Sequence, residues 1–125
     1  EDIFVLALAS AKGKRFRADS RDWHRVLYEV CQKFRDKIPE LRVVFFEERP
    51  PLPPQTDQFY QLISTLSMAD LVSLPNSNFA YIVMDEERKR QAKELEGGRL
   101  DQYREYIEEI AGLLDRELSE LAVEH

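Results

Sequence analysis

TDQFYQLISTLSMADLVSLPNSNFAYIVM, residues 56–84, carries two hydrophobic periods in succession. Phe59, Leu62, Ile63 and Leu66 recur at i, i+3, i+4 and i+7, which sets them on one face of a helix. Thr56 or Asp57 can cap that helix just beyond Pro53 and Pro54, and it is expected to end near Asp70. The two apolar runs that follow, Leu71-Val72-Ser73-Leu74 and Phe79-Ala80-Tyr81-Ile82-Val83-Met84, flank the polar turn Pro75-Asn76-Ser77-Asn78 and read as a hairpin. A helix followed by a β-wing is the arrangement this order predicts.

Upstream, residues 3–11 are apolar all round, which predicts a first helix that is largely buried. Lys12-Gly13-Lys14 breaks it, and Arg15-Phe16-Arg17 can add ladder bonds to the wing. Asp19 or Ser20 caps a long second helix, whose Trp23, Leu27, Val30, Cys31, Phe34 and Ile38 recur at helical spacing until Pro39. Leu41 to Glu48 predicts a short extended segment, and Arg49-Pro50-Pro51-Leu52-Pro53-Pro54 a polyproline strut that sets the entry angle of the third helix.

Downstream, Asp85 caps a helix that runs through Leu95 to Gly97-Gly98. Beyond that pair, Leu100, Tyr103, Ile107, Ile110, Leu114, Leu118 and Leu121 form an apolar seam too short to stand alone. It needs either its own domain or a second copy of the chain, and the glycine hinge favours the second copy. The expected division is therefore a domain over 1–96 and a C-terminal helix over 97–122 that packs back or dimerises. Residues 123–125 are set aside as a tag remnant.

At 125 residues and 43% hydrophobic content, the chain is the size of one domain. No apolar run reaches the ~20 residues that cross a bilayer, and Ile3–Ala9 is followed by charge, so a cytoplasmic protein without a membrane partner is expected. The formal net charge of −6 argues against coating nucleic acid by bulk charge. Between Lys12 and Arg42, however, ten basic residues face five acidic ones, which gives either one basic face or an ordinary solvated helix surface. The lone Cys31 lies in the second helix's apolar stripe, and His24 is on a different face, so it reads as a small core hydrophobe. Glu47-Glu48 and Asp85-Glu86-Glu87 have no His, Cys or Lys at a spacing that builds a nucleophile or metal site. No enzyme, catalytic residue, metal or cofactor is expected.

From Ile3 to Leu95 the order of elements resembles the winged helix-turn-helix superfamily, in particular small prokaryotic members with an extended segment between the second and third helices. Phe59 to Val72 and Tyr81 to Glu87 carry the resemblance, with Asp70 and Glu87 standing where the family usually has glycine. It implies an α+β, mostly helical fold: a winged helix with a two- or three-stranded wing and an additional C-terminal helix. It also implies duplex DNA as partner, with the helix over 55–69 in the major groove. Gln61, Ser64, Thr65 and Tyr60 would then meet base edges, Lys14, Arg15, Arg17, Arg21 and Arg25 would hold phosphates, and Asn76 and Asn78 would sit at the wing tip. None of the third-helix residues is basic, and Met68 beside Tyr60 suits a protein contact. The expectation is a DNA-binding protein of transcription-regulator type, with a protein-interaction module (antitoxin-like, adaptor or assembly subunit) as the alternative.

Overall fold

The computed structural model describes residues 2–69, 72–76, 79–96, 98 and 101–119 of an α+β, mostly helical chain. Its elements are α1 (Asp2–Ser10), β1 (Arg15–Arg17), α2 (Ser20–Phe34), α3 (Asp57–Met68), β2 (Val72–Asn76), β3 (Phe79–Val83), α4 (Glu86–Glu96) and α5 (Arg104–Leu118). Short 3-10 turns occupy Pro39–Val43 and Asp101–Tyr103. Among the described residues no helix is long and apolar enough to cross a membrane.

Side-chain caps mark three helix starts. Asp19 accepts the Asp22 N–H at 3.0 Å, Thr56 Oγ1 accepts the Gln58 N–H at 3.2 Å, and Asp85 accepts the Arg88 N–H at 2.9 Å. The strands form one antiparallel sheet in the order β1-β3-β2. Phe16 pairs with Ile82 on one side of β3, and Val72 pairs with Ile82 on the other. The β2 register slips between Ser73 and Asn76, where Pro75 has no N–H to give the ladder. Arg15-Phe16-Arg17 thus joins the hairpin as a third strand.

The core is one hydrophobic cluster, in which α4 and α5 pack against α1. Ile3, Phe4, Ala7, Leu8 and Ala9 are buried on nearly every side of that helix, as an all-apolar segment must be. α2 brings Trp23, Val26, Leu27, Val30, Cys31 and Phe34, and α3 brings Phe59, Leu62 and Leu66. The Trp23 indole donates to the Arg17 carbonyl at 2.7 Å, so its one polar atom is satisfied within the core.

α5 overturns the expected dimer seam. Ile107, Ile110, Leu114 and Leu118 are all buried against α1 and α2 of the same chain, so they are not available to a second copy. Tyr103 is half-buried, and burial followed by a hydrogen bond to Glu40 raises its phenol pKa. Leu100 and Leu121 lie outside the described residues. The end of α5 is also stitched to the sheet: Ser119 bridges Phe16 on the free side of β1, and the Arg17 guanidinium donates to the Glu117 carbonyl. The helix after Gly97-Gly98 therefore belongs to the same core as everything before it. A heptad pattern shows that a stripe must be covered but not by what.

The proline-rich segment also departs from expectation. The chain reverses rather than forming a straight strut: the Leu52 N–H donates to the Arg49 carbonyl at 2.9 Å, and Glu47 and Gln55 exchange backbone hydrogen bonds of 2.8 and 2.9 Å. The result is a loop pinched at its base, from which Thr56 enters α3. Part of the stretch expected to be extended after Pro39 is instead a 3-10 turn, tied down where Arg35 donates to the Val44 carbonyl at 2.9 Å.

Candidate recognition surface

α3 turns Phe59, Leu62 and Leu66 into the core, with Ile63 half-buried. Its opposite face holds Tyr60, Gln61, Ser64, Thr65 and Met68, all exposed, as the 100° spacing requires. Tyr60 is 56% and Met68 88% exposed, large values for apolar side chains. Gln58 donates to Gln61 at 3.2 Å, so one of the groups expected to read a base edge is already engaged along the helix.

At its first turn, α3 continues into an aromatic row. Tyr60 lies 5.6 Å from the His24 ring of α2, Phe59 lies 5.0 Å from it, and Tyr28, one turn along α2, stacks edge-on against Phe46 at 5.2 Å. Phe45, the neighbour of Phe46, is 79% exposed. This row is hard to see in the sequence, because Phe45 and Phe46 fall in a segment with no clear period; its one local signal is His24 and Tyr28 at i and i+4.

The basic flank divides. Arg17 and Arg25 both face Asp22 (3.6 and 3.7 Å), and Arg25 also lies 3.8 Å from Glu117. Those two guanidiniums therefore serve carboxylates of their own chain. Arg15 lies over the Tyr81 ring at 3.9 Å and remains exposed, and Lys14 and Arg21 are exposed without an ion pair among the described residues. Asn76 is part of strand β2, paired with Phe79, rather than in the turn, and Asn78 lies outside the described residues.

Two residues that the sequence reading did not single out fix the backbone under this flank. The Asp115 carboxylate accepts the N–H groups of Lys12 and Gly13 at 2.7 and 2.8 Å, and the Lys89 ammonium donates to the carbonyls of Ala11 and Gly13 at 2.6 Å each. α5 and α4 thus grip the α1–β1 turn through its donors and its acceptors. Lys89 is almost wholly buried, and burial pulls its pKa down. Gly13 lets these groups approach: a Cβ there would run into the Ser119 hydroxyl and lie 3.0 Å from Asp115 Oδ1 and 3.1 Å from Ser119 Cβ, so a larger residue forces those side chains to shift.

Cys31 is fully buried in α2, and burial pushes its thiol up to about 11. A thiol in that state is neither nucleophile nor ligand at neutral pH. Ellman's reagent is expected to leave the native protein unlabelled and to react once it is unfolded in urea; prompt labelling of native protein would contradict the core position. A cleft of about 400 Å³ beside α1 and α5 is lined by Lys93, Asp101, Arg104 and Glu108, charges of both signs, with Arg104 paired to Asp101 at 3.3 Å. Among the described residues no group of three or more His, Cys, Asp or Glu side chains gathers as a metal site.

No family model, curated protein or solved structure matches this chain.

Proposed function

We propose that this chain is a recognition module of winged-helix type that engages another protein through the outer face of α3 and the adjoining aromatic row. The order α1-β1-α2-α3-β2-β3, with β1 added to the hairpin, supports the winged-helix reading. One observation carries the choice of partner: the outer face of α3 exposes Tyr60 and Met68 and bears no basic residue. Exposed aromatic and Met side chains are the enriched currency of protein interfaces.

DNA binding, by contrast, draws its affinity from cations that neutralise phosphates. Lys12, Lys14, Arg15 and Arg21 are the flanking cations not committed to a carboxylate among the described residues. Four contacts give a log–log salt slope of only about −4, short of the roughly 6–10 contacts behind a strongly salt-dependent duplex affinity. The DNA reading keeps one favourable observation, the exposure of Gln61, Ser64 and Thr65 on a single face.

Two measurements test the proposal. Fluorescence anisotropy against random duplex DNA at about 50 and 200 mM salt should show weak binding at the lower concentration and none at the higher. Tight binding at both, lost in the double variant Gln61→Ala, Ser64→Ala, would move the function to DNA. A photo-crosslinking side chain at position 60 or 68, introduced in the native host, should capture one discrete polypeptide. The same probe at Glu105, on the exposed side of α5, should capture none.

A further inference from the structure

We propose that the α2–α3 junction is a proton-operated latch: one proton taken up by His24 breaks the hydrogen bond from the Thr56 N–H to Nδ1. This frees the first turn of α3 together with the 44–55 segment that leads into it.

His24 is completely buried, and its Nδ1 accepts the Thr56 N–H at 3.2 Å. Accepting at Nδ1 fixes the neutral tautomer with the proton on Nε2, and among the described residues Nε2 has no hydrogen-bond partner in its buried position. The ring is walled by Phe59 and Tyr60 at 5.0 and 5.6 Å. A second proton would convert Nδ1 to a donor facing another donor, and would place a full charge among aromatic rings. Thr56 is the residue disturbed, and it is also the cap of α3, so loss of the contact acts on the helix terminus directly.

Of the ionisable groups on α2, Arg21 and Tyr28 share the His24 face at i−3 and i+4; the first turn of α3 brings Asp57 and Tyr60, and the loop brings Glu47, Glu48 and Arg49, of which Glu47 and Arg49 are paired with each other at 2.9 Å. Burial alone moves His24, lowering its pKa from 6.5. The closed junction therefore holds fewer protons than the open one. It is favoured above the ordinary value of 6.5 and is lost progressively as the pH falls below it, levelling off at the lower value of the closed form. Because Tyr60 is common to the latch and the proposed recognition face, acidification would reshape that face. The latch itself needs no partner and is tested without one.

An NMR titration of the intact protein from about pH 7.5 to pH 5 tests it, across the range where histidine alone ordinarily changes charge. The His24 ring should titrate with a midpoint below 6.5, and the amides of Thr56, Asp57 and Tyr60 should move with the same midpoint while that of Ile110 stays still. In His24→Asn, whose side-chain oxygen takes the place of Nδ1 without titrating, the α3 amides should no longer respond. A ring midpoint at or above 6.5 overturns the latch, and so does an α3 response that survives in His24→Asn. If that variant does not fold, coincidence of the ring and amide midpoints in the wild-type protein decides the matter, and their divergence overturns the proposal.

Discussion

A chain ending at residue 96 is expected to lose cooperative folding altogether. α5 contributes Ile107, Ile110, Leu114 and Leu118 to the core, each at most 3% exposed. At about 1.5–3 kcal/mol for each large apolar side chain taken from water, those four are worth roughly 6–12 kcal/mol. A domain of this size has about 5–15 kcal/mol in total, and area-based figures are upper bounds, so the loss is of the same order as the entire stability. Removal would also uncover the α5-facing sides of α1 and α2, strip the carboxylate of Asp115 from the α1–β1 turn and delete the Ser119 bridge. Near-UV circular dichroism and a thermal melt of the shortened chain should show no native signal and no sharp transition. A cooperative melt with native Trp23 ellipticity would restore the division at the glycine pair.

Replacing Lys89 by methionine should destabilise the protein by about 2–6 kcal/mol, because two backbone carbonyls lose their shared donor and each buried unsatisfied group costs roughly 1–3 kcal/mol. Methionine is close to the lysine stem in length and fills the same channel, so the loss reports on the ammonium rather than on a cavity. For a chain of this size the melting temperature should fall by about 10 °C or more. Chemical denaturation should show a lower midpoint with an unchanged slope, since the extent of unfolding is the same. A change within about 0.5 kcal/mol, the range of an ordinary surface substitution, would mean that the ammonium is not holding the turn.

Local signals were readable from sequence where each rests on neighbouring residues. The inward stripe at Phe59, Leu62 and Leu66 follows from spacing, and the caps at Asp19, Thr56 and Asp85 follow from residue type just ahead of a periodic run. The α1–β1 turn was readable as a break, yet its fastening was not. Lys89 and Asp115 lie far along the chain from Gly13, and a charged residue in a polar helix gives no sign that it will be buried. The partner of the α5 stripe was misjudged because a hinge glycine says nothing about where the following helix comes to rest. The outer face of α3 was anticipated residue by residue, but the aromatic row beside it depends on a loop whose reversal at Arg49–Leu52 a run of prolines did not announce.

The two rims of the small sheet bear on how the protein tolerates crowding. Ser119 occupies the outer side of β1 at Phe16, and the outer strand on the far side contains Pro75, which cannot donate to an incoming strand. Neither rim therefore offers an unbroken template, and templated growth of one sheet onto another meets a block at both ends.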